Sequence, residues 1–256
     1  MVLDGTRVVT DPLLRDRIGP LRRHAGTSEL GPSPVDAVLI SHLHHDHLDL
    51  PSIRLLAADT TIVVPRGAGP MVARAARGEV VEVVTGDEIA IGNVTVTAVP
   101  AEHSSGRTFG RARAEPLGYV LGGGFGTVYF AGDTDRFAAM TDLGPVDLAL
   151  LPIWGWGRRL GPGHLDPARA AEAASILRAR AVLPVHWGTF APAGLRNAPP
   201  AWLDAPGAAF AAELARTAPD VRLHLVRPAG EPVELHAAAI SDGADARSPA
   251  PTGSSR

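Results

Sequence analysis

The stretch from Ser41 to Asp49 reads Ser-His-Leu-His-His-Asp-His-Leu-Asp, which places four histidines and an aspartate within six residues. It follows the run Asp36 to Ile40, whose short apolar and partly β-branched sequence is typical of a strand covered on both faces. His42 and His44 are two residues apart, so both rings can point to one side of an extended backbone. Together with Asp46 and His47 in the following turn, they can supply ligands for two ions.

The composition limits the kind of protein that carries this stretch. With 256 residues and 45% apolar composition, the chain can bury a full core as one large domain or as two tightly fused halves. A net charge of −3 and the lack of a Lys/Arg-rich run argue against a nucleic-acid partner. Because the chain has no cysteine, disulfides, thiolate ligands and a thiol nucleophile are excluded. Any metal must therefore be held by nitrogen and oxygen.

The sequence contains no segment typical of membrane proteins. No apolar run approaches the roughly 20 residues of a membrane span, and the first residues do not resemble a secretory signal. We therefore expect no membrane partner and a cytoplasmic location.

The remaining sequence alternates between strand-like and helix-like segments. Strands are predicted at 61–64, 80–84, 147–151 and 181–185, and a glycine-linked hairpin at 117–121 and 127–131. Helices are predicted at 51–58, 67–77, from Asp166-Pro167 to about 179, and at 199–217. Residues 13–23 fit either a loop or a broken helix. This rhythm predicts an α/β fold with one domain over residues 1–240. The tail 241–256 has too little apolar content to pack and is expected to be disordered.

Three further polar side chains follow predicted strands. His103 comes after a strand ending at Pro100, Asp133 follows the run Val128 to Ala131, and His186 follows the last strand of the series. Side chains just past the carboxyl ends of strands meet at one edge of an α/β layer, where active sites form. Any one of these histidines alone fits an ordinary loop residue. The whole set favours a metal site.

The pattern His42-x-His44-x-Asp46-His47, followed by His103, Asp133 and His186, resembles the metallo-β-lactamase superfamily. Five further stretches resemble the branch with N-acyl-phosphatidylethanolamine-hydrolysing phospholipase D and the ascorbate-6-phosphate lactonases. They are Thr10-Asp-Pro12, Ala37 to His42, Phe130-Ala-Gly-Asp-Thr134, Gly163-His-Leu-Asp-Pro167 and Val185-His-Trp-Gly-Thr-Phe190. The resemblance covers about residues 7 to 205. It implies an αββα four-layer sandwich.

The resemblance also implies a centre with two divalent metal ions. One site would be formed by His42, His44 and His103, the other by Asp46, His47 and His186, with Asp133 as the bridge. Zn²⁺ is the expected metal, with Mn²⁺ or Fe²⁺ as alternatives. A hydroxide between the metals would be the nucleophile, because coordination lowers the pKa of bound water from about 15.7 to roughly 7. Asp46 would also orient that hydroxide.

Other residues are assigned roles around this centre. His164 matches a histidine of the phospholipase-like branch, which implies a substrate-side or proton-donating role. Asp11 is a candidate partner for a ligating imidazole. Arginines at 107, 158 and 159 could bind a phosphate, but each also fits a solvated loop residue. Tryptophans at 154, 156 and 187 fit pocket walls and loop packing equally well. The histidines at 24, 45, 224 and 236 read as ordinary.

Two departures from the family pattern bear on partners and substrate. Members usually begin with a longer first strand than this chain has before Asp4-Gly5, and a shortened strand would expose a sheet edge that favours a homo-oligomer. The chain also lacks an amphipathic membrane-binding segment, so a lipid substrate is not carried over. The sequence predicts hydrolysis of a phosphate ester, phosphodiester or lactone of a small molecule. The alternatives are a metal-binding sensor or scaffold without turnover, and a ribonuclease.

Overall fold

The computed structural model describes residues 1–31, 34–106, 112–155, 160–195 and 201–227. This part of the chain contains fifteen strands and four α-helices. The strands are β1 (Val2–Leu3), β2 (Thr6–Thr10), β3 (Arg17–Ile18), β4 (Leu21–Arg23), β5 (Ala37–Leu39), β6 (Thr61–Pro65), β7 (Val80–Val83), β8 (Glu88–Ile91), β9 (Val94–Pro100), β10 (Leu117–Gly123), β11 (Gly126–Phe130), β12 (Leu148–Pro152), β13 (Ala181–Val185), β14 (Phe190–Pro192) and β15 (Arg222–Leu223). The helices are α1 (Leu50–Ile53), α2 (Gly69–Val72), α3 (Pro167–Ile176) and α4 (Ala205–Thr217).

The first sheet has the strand order β1-β2-β5-β6-β7. The Asp4-Gly5 turn joins β1 to β2 as the predicted antiparallel hairpin, and both turn residues have positive φ, 46° and 81°. β2, β5, β6 and β7 run parallel to one another. All three residues of β5 are buried, which explains its uninterrupted apolar sequence.

The second sheet has the order β15-β13-β12-β11-β10-β9-β8. Strands β8 to β11 are paired antiparallel, and β11, β12, β13 and β15 are paired parallel. The glycine-linked hairpin predicted from the sequence is the β10–β11 pair. A small third sheet has the order β14-β4-β3.

Three buried apolar clusters separate four layers. The middle cluster joins the two large sheets, with Leu39 of β5 and Val63 of β6 against Tyr119 of β10 and Val128 of β11. The outer face of the first sheet packs on α1 and α2. The outer face of the second packs on α3 and α4. Alternation along each strand sends successive side chains to opposite layers. The predicted αββα sandwich is confirmed.

Several predicted elements differ from those observed. Residues 13–16 form a loop, one of the two structures expected for 13–23, but residues 17–23 form the hairpin β3–β4 instead, because Gly19 adopts φ +51° and β4 pairs with β14. The helices predicted at 51–58 and 67–77 shrink to the single turns α1 and α2. The tail 241–256, the residues 107, 156, 158 and 159, and His236 lie outside the described residues. Within the described part, no helix is long and apolar enough to cross a membrane.

Candidate metal centre

The two large sheets bring the predicted ligands together at one edge. Ser41 to His47 follow β5 of the first sheet, while His103, Asp133 and His186 follow β9, β11 and β13 of the second. Two hydrogen bonds join the second sheet to the start of the histidine-rich stretch. Leu117 N–H donates to Ser41 O (2.8 Å), and Tyr119 O–H donates to Ile40 O (2.7 Å). The seven side chains therefore converge only because the sheets pack face to face.

Gly132 permits the close approach of the loop that carries Asp133. It has φ +61°, and a Cβ built on it would lie 2.4 Å from the Cβ of Ser41. Such a separation is far below van der Waals contact, and this φ is unfavourable for residues with a side chain. The glycine of Ala-Gly-Asp-Thr is thus required to bring Asp133 against the histidine-rich stretch.

One ligand group consists of three imidazoles, His42, His44 and His103, whose ligand atoms lie within 4.8 Å of one another. His103 Nε2 is 3.1 Å from His44 Nδ1. His42 Nδ1 lies 2.9 Å from Ser41 Oγ, which leaves Nε2 of that ring for the group. The inward atoms are therefore Nε2 of His42 and His103 but Nδ1 of His44.

The second group consists of Asp46, His47 and His186, also within 4.8 Å. His47 Nε2 lies 3.2 Å from His186 Nε2, and Asp46 Oδ2 lies 3.4 Å from His186 Nε2. His186 adopts φ +62°, a left-handed conformation that is unusual for a residue with a side chain. Strain of this kind persists where the surroundings hold a functional side chain in place.

Asp133 lies between the two groups. Its Oδ2 is 3.2 Å from His47 Nε2 and its Oδ1 is 3.6 Å from His186 Nε2, both in the second group. It also forms a cluster of potential ligands with His103 of the first group and with His164. This is the position that a bridging carboxylate needs.

Each ring is held from behind by a hydrogen-bond partner. Gly163 O accepts from His103 Nδ1 (2.6 Å), and Trp154 O accepts from His186 Nδ1 (2.7 Å). Ser104 Oγ lies 3.0 Å from His44 Nε2. Such partners fix the tautomer and direct the opposite nitrogen at the metal. No sequence pattern signals them, because two are backbone carbonyls from distant loops.

Asp11 supports both groups at once. Its Oδ2 lies 2.6 Å from His47 Nδ1 and accepts from Ser41 Oγ (2.5 Å), the hydroxyl that contacts His42. Its Oδ1 accepts from Ser41 N–H (2.7 Å). The partner role predicted for Asp11 is thus matched by its contacts, and the carboxylate links one imidazole of each group.

Asp11→Asn should weaken divalent-metal affinity by about 10- to 100-fold, the usual cost of removing such a partner. Asn tolerates the left-handed backbone of this position (φ +42°), so the change removes charge without straining the chain. Chelator competition measures the affinity. Asp16→Asn, an exposed aspartate in the same region, is the control. Unchanged affinity in Asp11→Asn would show that Asp11 does not position the ligands.

Burial keeps the first group neutral. It lowers the pKa of His42 well below its usual value and lowers the pKa of His103 to about 4. Burial also lowers the pKa of His44. These imidazoles are therefore unprotonated near pH 7, the form in which histidine binds a metal.

Opposite charges balance the second group. Burial alone would lower the pKa of His47 and His186, but Asp133 and the neighbouring carboxylates raise both. Burial alone would raise the pKa of Asp133 and Asp46, but the surrounding imidazoles lower both. The two carboxylates thus favour positive charge on the two rings, and bound cations would take over that role because ligands bind metal in their deprotonated form.

The donor set fits divalent cations. Among the residues that the structure describes, His42 Nε2 and Asp133 Oδ1 are buried polar atoms without a hydrogen-bond partner. An unsatisfied buried group costs about 1–3 kcal/mol, so two at one place call for an explanation. Both atoms belong to the predicted ligand groups, one to a three-imidazole group and one to the bridging carboxylate. Nitrogen and oxygen donors of this kind suit Zn²⁺, Fe²⁺ or Mn²⁺.

Several other residues that the sequence singled out lie around the candidate centre. His164 lies beside the centre, with Nε2 3.9 Å from Asp133 Oδ2 and its ring 4.7 Å from that of His103. Trp154 and Trp187 are buried and line a cavity of about 120 Å³ that also includes Asp46 and His186. His45 is exposed, as is usual for the ordinary histidine that the sequence predicts there. Trp202, which sequence reasoning missed, lies 5.7 Å from Trp154 between ring centres.

Comparisons with known proteins agree with this architecture. A family model described as a beta-lactamase superfamily domain matches residues 6–187. An uncharacterized protein of Mycobacterium tuberculosis is 34% identical over 218 residues, which covers 78% of this chain and 57% of that protein. The chain thus spans little more than half of that relative.

Two further relatives carry functional names. A UPF0173 metal-dependent hydrolase of Nitratidesulfovibrio vulgaris is 35% identical over 210 residues, covering 78% of both chains. The N-acyl-phosphatidylethanolamine-hydrolyzing phospholipase D 1 of Caenorhabditis elegans is 29% identical over 215 residues, covering 73% of this chain and 60% of that protein.

Among solved structures, Igni18, a metallo hydrolase from the archaeon Ignicoccus hospitalis, superposes with a TM-score of 0.67 at 23% identity over 90% of both chains. At this identity the likeness concerns the fold alone. The family model, by contrast, matches residues 6–187, which is more than half of the 256 residues and includes all seven side chains of the candidate centre. The chain therefore belongs to the metallo-β-lactamase superfamily.

Proposed function

We propose that the chain is a two-metal hydrolase that cleaves a phosphate ester, a phosphodiester or a lactone of a small molecule. One observation carries this proposal. Asp133 adjoins both groups of ligand atoms, and two buried atoms at this place, His42 Nε2 and Asp133 Oδ1, have no hydrogen-bond partner among the described residues. A single ion rarely needs so many ligands. Zn²⁺ is the metal that we propose, because the set consists of imidazoles and carboxylates.

His42, His44 and His103 would hold one cation, Asp46, His47 and His186 the other, and Asp133 would contact both. Bound there, two cations supply an activated water and Lewis-acid stabilisation of the developing negative charge. Asp46, which lines the smaller cavity, would accept a hydrogen bond from that water and orient it. His164, whose Nε2 lies 3.9 Å from Asp133 Oδ2, would donate a proton to the leaving oxygen.

The names of the relatives support the reaction class without naming the substrate. The Nitratidesulfovibrio relative is called a metal-dependent hydrolase. The phospholipase of Caenorhabditis elegans acts on a lipid by its name, and a small-molecule substrate is our proposal for this chain.

A metal and activity assay tests the proposal. Protein is purified, its metal content is measured, and hydrolysis of bis(p-nitrophenyl) phosphate and of a lactone panel is followed before and after chelation. We expect about two ions per chain and turnover that disappears on chelation and returns with Zn²⁺. Two bound ions without turnover on any substrate would favour a metal-binding sensor of the same fold. Turnover that survives complete metal removal would contradict the proposal.

A further inference from the structure

A second, larger cavity of about 640 Å³ opens beside the metal centre. Its described walls are mostly apolar and come from Trp154 after β12, from residues 160–169 up to the start of α3, and from Trp202 and the amino-terminal part of α4. The side chains that matter here are Trp154, Leu160, Trp202, Pro206 and Ala209. A cavity of this volume lies within the usual range of small-molecule sites.

Two residues of the cavity wall also adjoin the metal centre. His164 lines the cavity and places Nε2 3.9 Å from Asp133 Oδ2. Trp154 lines both this cavity and the smaller one beside Asp46, while its carbonyl holds His186. A substrate whose scissile bond lies at Asp133 would therefore extend past His164 into the larger cavity.

The charged residues of the cavity wall are already engaged. Arg169 forms an ion pair with Asp135, and its Nη1 donates to His164 O (3.5 Å). Asp166 caps α3 by accepting from Arg169 N–H (2.9 Å). Burying a second charge against these groups without a partner would be costly. Because these described wall residues already have partners, we expect the cavity to bind an uncharged group of the substrate more tightly than a charged one.

From this geometry we infer that the larger cavity binds an uncharged apolar part of the substrate, an aromatic ring or a compact aliphatic group attached to the scissile ester. The inference rests on the proposed function and narrows it. Trp154 and Trp202 both line the cavity, with ring centres 5.7 Å apart and planes inclined by 41°, and would offer such a group aromatic contacts. His164 at the junction then lies next to the bond that links the apolar group to the ester.

Phosphonates test the inference, because their tetrahedral anion resembles the product of phosphodiester cleavage and the intermediate of lactone cleavage. Calorimetry measures the binding of methylphosphonate, benzylphosphonate and 4-carboxybenzylphosphonate to the Zn²⁺-loaded protein. We expect benzylphosphonate to bind about 10- to 100-fold more tightly than methylphosphonate, since burial of a ring is favourable. The carboxylated analogue, equal in width but charged, should lose that advantage.

A matched pair of variants locates the effect. Ala209 and Ala208 are both exposed on α4, but only Ala209 lines the cavity. Ala209→Trp adds an indole at an exposed position of the cavity wall, and should abolish the preference for benzylphosphonate. Ala208→Trp should retain it. Methylphosphonate should bind equally to both variants.

The outcomes separate this inference from the proposed function. If methylphosphonate binds but the three ligands bind equally, the apolar-cavity inference is wrong and the metal site stands. If the preference persists in Ala209→Trp, the apolar group binds elsewhere and the inference is also wrong. If no phosphonate binds to protein that holds two ions, the proposed function fails, and the inference falls with it.

Discussion

Asp133→Ala is expected to reduce the metal content from about two ions per chain to one or none, and to bring hydrolysis down to the rate without enzyme. Asp133 is nearly fully buried, and its two oxygens face His47 and His186 while the residue also adjoins His103. Without this carboxylate the two ligand groups lose their shared negative charge, and two cations held close together would repel each other. Elemental analysis after gel filtration measures the metal content.

The control for this change is Asp147→Ala. Asp147 precedes β12, at the opposite end of the strand from the centre, and its carboxylate accepts from Thr127 N–H (2.8 Å). Its loss should lower the free energy of unfolding by about 1–3 kcal/mol through the unsatisfied amide, but should leave metal content unchanged. If Asp133→Ala still held two ions per chain, the bridging role would be wrong.

His164→Gln is expected to lower kcat by about 10²- to 10⁴-fold, the usual contribution of a proton-transferring side chain. The Nδ1 side of the ring faces the carbonyl oxygens of Gly161 and Pro162, at 3.3 and 3.2 Å, so Nε2 is the atom directed toward Asp133. Glutamine fills a similar volume but cannot donate a proton from an acidic group. Metal content should stay at the wild-type value.

His45→Gln is the matched control for His164→Gln, because His45 is exposed although it lies between His44 and Asp46 in the chain. It should keep wild-type kcat and metal content. The cluster of His103, Asp133 and His164 also offers an alternative reading in which His164 binds a cation. Loss of metal from His164→Gln would therefore overturn the proton-donating role. A drop in kcat with two ions retained supports it.

Much of the fold could be predicted because several strands carry a recognisable pattern of apolar residues or glycines within their own sequence. The fully apolar run of β5 and the glycine-linked pair β10–β11 were recognisable from local sequence alone. The hairpin β3–β4 was not, because its second strand is stabilised by β14, about 170 residues further along the chain. The helices α1 and α2 are shorter than the sequence predicts. Both pack on the first sheet, and such tertiary packing can override helix propensity.

The sequence by itself determined which side chains form the candidate centre, because ligands follow strand ends and strand ends meet at one edge of a sheet. Only the tertiary structure decided how they act together. It turns Nδ1 of His44 and Nε2 of His103 toward the candidate centre and places Asp133 between the groups. It also places the carbonyls of Trp154 and Gly163 where they accept hydrogen bonds from His186 and His103. It also formed the cavity of Trp154 and Trp202. These features depend on contacts between segments far apart in the chain, and no local pattern of residues encodes such contacts.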